Sequence, residues 1–153
     1  MGTRGTIKLK ASNKKYKTYN HWDSYPSGLG MNLITQLKTL LQIYSIVELR
    51  DKISSLKLVS QDKKPEQTDI DKLIEYTDLS VSTQSLEDWY CLLRNCQGNI
   101  EKILESGYVL TTKGKQEYNY IIDFDSQTFT VEELNKTWSL SDLNIIELYL
   151  SDH

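Results

Sequence analysis

The sequence predicts an α+β domain: an antiparallel sheet from an N-terminal hairpin and a C-terminal meander, with central helices packed on one face. Three observations carry that expectation. Thr6 to Lys10 alternates apolar and polar residues and is followed by a turn and a second strand-like run. Residues 31–106 switch to helical spacing with repeated capping residues. After Gly107 the chain turns rich in β-branched and aromatic residues.

In the hairpin, Ile7, Leu9 and Ala11 share one side of the first strand, and Tyr16 to Trp22 forms the return. A two-residue turn at Asn13-Lys14 makes Leu9 face Thr18 and Ile7 face Asn20. That register puts Trp22 on the buried side. On the other side it sets Arg4 opposite Asp23 and Thr6 opposite His21. Pro26 and Gly28-Leu29-Gly30 end the hairpin and lead into a helix marked by Leu33, Ile34, Leu37, Leu40, Leu41 and Tyr44. Ser45 with Glu48 starts a second helix through a capping box. Residues 58–67 read as an exposed loop. Thr68 with Asp71, and Ser85 with Asp88, repeat the capping pattern, while Asn99 starts and Gly107 stops a short helix. Tyr108–Thr112, Glu117–Phe124 and Thr128–Glu132 form the meander, and Ser141 with Asn144 favours helix over strand for 139–150.

A chain of 153 residues suffices for one domain with a substantial core, so residues 1–153 are expected to fold as one unit. The net charge of −3 conceals an asymmetry: residues 1–22 carry six basic side chains (Arg4, Lys8, Lys10, Lys14, Lys15, Lys17) and no acid. Such a hairpin could meet phosphate or an acidic partner, although lysines flanking a turn commonly serve only to solvate it. Because the rest of the chain is acidic and the basic residues are few, nucleic acid is not an expected partner. Cys91 and Cys96 are five apart in an expected helix, on different faces, which fits two thiols in a reducing compartment and no disulfide. No apolar run is long enough to span a membrane. Met1-Gly2-Thr3-Arg4-Gly5-Thr6 fits the loose pattern for N-myristoylation at Gly2, against which a strand starting directly afterwards argues.

Chemistry concentrates in Tyr19-Asn20-His21-Trp22-Asp23-Ser24-Tyr25-Pro26-Ser27-Gly28-Leu29-Gly30. His21 can exchange a proton, Asp23 can orient it, Arg4 can hold an oxyanion, and Tyr25 can donate to a ligand oxygen. His21 and Asp23 are therefore the catalytic candidates, and Arg4, His21, Asp23, Tyr25, Gly28 and Gly30 the ligand-binding ones. The two glycines enter through the helix start, where free N–H groups attract anions. The competing structural assignment pairs Arg4 with Asp23, bonds His21 to a backbone carbonyl and packs Tyr25 on Pro26. With only His21 and His153 as histidines, no metal site and no cofactor are expected.

Thr3-Arg4-Gly5-Thr6-Ile7 and His21-Trp22-Asp23-Ser24-Tyr25-Pro26, with Gly28 and Gly30, resemble a family of small proteins of uncharacterised activity from phages, bacteria and giant DNA viruses. Tyr120-Ile121-Ile122-Asp123-Phe124-Asp125 is more weakly similar to the same family. Ser24 stands where a Gly is common there. The resemblance covers about the first 35 residues. It implies a viral or phage accessory protein in the host cytoplasm or the virion. Its partner would be a host or viral protein or a small anionic ligand, met through residues 4–30. The alternative is a small hydrolase or nucleotide-processing enzyme using His21 and Asp23.

Overall fold

A computed structural model describes residues 2–153. Among the described residues seven strands form: β1 (Gly5–Ala11), β2 (Lys14–Asn20), β3 (Lys57–Val59), β4 (Tyr108–Leu110), β5 (Tyr118–Asp123), β6 (Thr128–Val131) and β7 (Lys136–Ser139). Five make the main sheet in the order β2-β1-β5-β6-β7, and β3 with β4 makes a separate parallel pair. The α+β architecture and the shared sheet of hairpin and meander therefore hold. The sheet is mostly antiparallel, with a parallel joint where β5 lies beside β1. The long helical crossover between β2 and β5 leaves that direction free, so local sequence could not set it. Tyr108–Leu110 pairs with residues 57–59 instead of joining the meander, and β7 was not anticipated.

The hairpin turn is Ser12-Asn13, not Asn13-Lys14, with φ of 51° and 64°. Both central residues are left-handed, the geometry that matches the twist of antiparallel strands. Leu9 consequently faces Tyr16, and Ile7 faces Thr18. This shift preserves alternation, so the buried side keeps Ile7, Leu9, Ala11 and Tyr16. It ends the strand at Asn20, however, which removes the expected Arg4–Asp23 and Thr6–His21 pairings and leaves Trp22 52% exposed.

Helices α1 (Met31–Ile43), α2 (Ile46–Ser54), α3 (Gln67–Lys72), α4 (Trp89–Leu92), α5 (Ile100–Ser106) and α6 (Leu143–Ser151) complete the fold. Leu33, Ile34 and Leu37 of α1, Leu49 and Ile53 of α2, and Ile146 and Leu150 of α6 join Tyr120, Ile122, Phe129 and Val131 of the sheet in one core. Ser45 and Glu48 form the expected capping box of α2. The other caps are displaced: Glu66 and Asp69 cap α3, and Asp88 itself caps α4 by accepting from Tyr90 N–H at 2.9 Å. Asn99 caps α5 and Gly107 ends it in the left-handed conformation. Among the described residues, no helix is long and apolar enough to cross a membrane.

Candidate functional site

The Tyr19–Gly30 stretch divides into a buried clasp and an exposed cluster. At the clasp's centre is Ser24, fully buried. Its N–H donates to Thr3 O at 3.0 Å, its Oγ accepts from Asn20 Nδ2 at 2.9 Å, and its carbonyl accepts from Tyr120 Oη at 2.6 Å. Those bonds tie the hairpin exit to β5. Pro26–Gly30 is a π-helical turn running straight into α1, with Gly30 already right-handed helical. The amides an anion would need there are taken: Gly28 N–H donates to Tyr25 O and Leu29 N–H to Asp23 O. Gly28 and Gly30 serve close approach. A Cβ on Gly28 would lie 2.4 Å from Asp23 O, and one on Gly30 would lie 3.2 Å from Leu150.

The exposed cluster forms around His21. Tyr19 Oη and His21 Nδ1 are 2.8 Å apart, and the His21 N–H donates to Gln97 Oε1 at 3.2 Å. The Trp22 ring meets the imidazole edge-on at 4.6 Å between centroids. Arg4 and His21 share an open depression of about 540 Å³ with Gly2, Trp22, Gln116 and Glu117. Behind it lies a smaller cavity of about 220 Å³, lined by Thr18, Tyr19, Tyr90, Gln97 and Tyr108 among others. The Tyr19–His21 hydrogen bond joins the two spaces, since Tyr19 lines one and His21 the other.

Arg4 and Arg94 favour negative charge beside His21, and Glu117 on the wall of the depression acts against it. Burial, then the positive charges of Arg4 and Arg94, hold His21 below the ordinary imidazole value of 6.5. The ring is therefore neutral at pH 7. Burial raises the Tyr19 phenol, against which Arg4 acts in the opposite direction, so the phenol keeps its proton. In the tautomer that has Tyr19 donating to Nδ1, the neutral ring carries its proton on Nε2 and presents a donor there. Among the described residues, no carboxylate lies within 4.0 Å of a guanidinium nitrogen of Arg4 or Arg94.

Of the residues expected at a site, the fold brings together Arg4 and His21 and separates the rest. Asp23 sits after the strand at φ 51° with its side chain exposed, and the hydrogen bond to the imidazole comes from Tyr19 instead. Tyr25 is 37% exposed, its ring edge near Gly28. The structural assignments for the same residues are replaced too: no Arg4–Asp23 ion pair forms, and the partner of the His21 ring is a phenol. Tyr19, Tyr90, Arg94 and Gln97 were missed. Only Tyr19 had a local signal, standing two residues before His21 on the same side; the others arrive from the helical region. Cys96 lines the cavity, but burial pushes its thiol up to about 11, so it is no nucleophile near neutral pH.

Other polar clusters in the chain serve its architecture. Buried Asp88 gathers Gln61, Ser82, Thr83 and the Tyr90 N–H around one carboxylate. Asp69 accepts from Tyr108 Oη at 2.6 Å and from Lys57 at 3.2 Å, fastening α3 to β4 and β3. Compared with models of protein families, with curated proteins and with solved structures, the chain matches none.

Proposed function

We propose that this chain is a binding domain that takes a small anionic ligand of phosphate-like charge at the Arg4–Tyr19–His21 cluster. The observation that carries this reading is a neutral imidazole, held by a phenol and flanked by two arginines that have no close carboxylate among the described residues. An oxyanion in the depression gains charge-assisted hydrogen bonds from the Arg4 guanidinium and a further donor from His21. The 220 Å³ cavity behind it offers aromatic and amide walls for an uncharged portion of the ligand. Binding is favoured over hydrolysis by His21 and Asp23 because the imidazole is paired with Tyr19 Oη. The viral accessory setting, with a host or viral factor engaged through residues 4–30, rests on the likeness of Thr3–Ile7 and His21–Pro26 alone.

Calorimetric titration with inorganic phosphate and pyrophosphate tests the reading. Wild type should bind, and Arg4→Ala and His21→Ala should each weaken binding about tenfold or more, the loss of one charge-assisted contact. Both variants should keep their thermal midpoints within a few degrees, because the groups are not deeply buried. Absence of binding by the wild type, or equal binding by both variants, would remove the proposal.

A further inference from the structure

The six basic residues of the N-terminal segment do not act together. Lys14 reaches the Ser54 carbonyl at 2.7 Å, and Arg4 belongs to the His21 depression. The remaining four form a ladder, although Lys17 also donates to the Gly114 carbonyl: the register sets Lys8 directly opposite Lys17 and Lys10 directly opposite Lys15. Alternation places all four on the face away from the core, half-buried or exposed. Like charges directly opposite one another weaken a hairpin, so this arrangement costs stability. Burial, then Lys10 and Lys17, lower the Lys8 ammonium, with Glu132 acting the other way.

The two bordering acids make their close contacts elsewhere, although each offsets part of the lysine charge. Glu132 pairs with Lys115 at 2.8 Å. Asp123, beside Lys10 in the sheet, accepts the backbone N–H groups of Asp125 and Ser126. Beyond β5 the same face continues as Thr128, Thr130, Thr137 and Ser139, hydroxyls suited to phosphate oxygens. Apart from the Tyr19 ring, its largest apolar group is Ile121, so it offers little to seat in a bilayer or to pocket a peptide side chain.

We propose that single-stranded nucleic acid lies along the outer face of the β1–β2 hairpin, its phosphates held by Lys8, Lys10, Lys15 and Lys17. The four lysines make a patch two strands wide, about 5 Å between neighbours, and about 7 Å long, because Lys8 and Lys10, like Lys15 and Lys17, stand two residues apart. Those proportions fit one backbone. A duplex brings two, and Asp123 and Glu132 on the β5 side of the stripe repel the second. Lysine ammonium groups act as point charges on phosphate without reading sequence, and Tyr19, two residues beyond Lys17 on the same face, provides a ring for a base to stack on. Charge counted over the whole chain argues against nucleic acid; the register gathers the cations where that count cannot see them.

Fluorescence anisotropy with a labelled mixed-sequence single strand, DNA and RNA in parallel, tests this at low and rising salt. Four phosphate contacts predict a log–log salt slope of about −3. Lys10→Gln with Lys15→Gln should weaken binding at least about tenfold and lower the slope by about 1.4, while the thermal midpoint stays or rises as the opposed charges disappear. A single Lys8→Gln variant gives the same reading should the double variant fail to fold. No binding at low salt, binding that the lysine variants leave unchanged, or tighter binding to duplex or to anionic vesicles would overturn the proposal. The lysine variants leave Arg4 and His21 intact, so phosphate binding there succeeds or fails independently.

Discussion

Single side chains in the Tyr19–Gly30 stretch carry opposite duties, which substitutions separate. Asp23 holds a left-handed φ of 51° with an exposed side chain and no ion pair to Arg4. Asparagine tolerates that conformation at least as well. Asp23→Asn should therefore change stability by less than about 1 kcal/mol, a thermal midpoint shift within about 2–4 °C at this size. A collapse of the midpoint would mean that the carboxylate is a buried partner after all. Tyr120→Phe is the contrasting case, since it strands the buried Ser24 carbonyl that Tyr120 Oη now satisfies at 2.6 Å. It should cost about 1–3 kcal/mol, read as a lowered urea midpoint at unchanged slope. Ser24, which as a sequence position affects only turn geometry, proves to be the point where hairpin, turn and β5 meet.

At the scale of elements, legibility followed the range of the interactions involved. The strands of the hairpin were readable because alternation is local, and the wrong turn shifted partners without exchanging faces. The turn itself was not readable, because its backbone is held from afar: Ser12 N–H and Asn13 N–H donate to the two carboxylate oxygens of Asp125, at 2.8 and 3.3 Å. The same holds for the site. His21 and Arg4 were visible as neighbours in a pattern, whereas Gln97, Tyr90 and Arg94 come from the helical region through packing no local pattern records. Capping shows a third case. Ser85 with Asp88 looked like a capping box, yet Asp88 is the cap and also the anchor of the preceding loop. Burial opposes its charge, but hydrogen bonds from Gln61, Thr83, Tyr90 N–H and Ser82 prevail and hold it at about 2, below the usual 3.8. The folded state thus binds fewer protons than the unfolded one between those values. Stability from Asp88 is complete above about pH 4 and is lost as pH falls toward 2. An Asp88→Ala variant should lose about 2–4 kcal/mol at neutral pH and lack that acid-sensitive step in denaturant titrations from about pH 5 to pH 2.

Across the whole molecule, an acidic chain presents basic side chains on two separate surfaces. The lysine ladder occupies the outer face of β1 and β2, and the Arg4–His21 depression lies past the Thr6 end of the same strands. Thr6 and Asn119, buried and hydrogen-bonded to each other at 2.7 Å, stand between the two. The sheet can present both because its inner face carries the helical core, while on the outer face Tyr19 meets Tyr90 of α4 and the clasp around Ser24 fixes the hairpin exit against β5. The central claim is that this exit holds an anion site on its exposed side, and the imidazole of His21 reports on it directly. His153 is the only other histidine, so the two are separable by NMR. The decisive measurement is the pKa of His21 with and without saturating sulfate, an oxyanion whose charge is constant over the range. Without the anion, His21 should titrate below 6.5; with it, the pKa should rise, because a bound negative charge offsets Arg4 and Arg94. Binding then takes up protons, so affinity should increase as pH falls through the window between the two values. An imidazole that titrates at the same pH with and without sulfate, or that titrates above 6.5 in the free protein, would contradict the account.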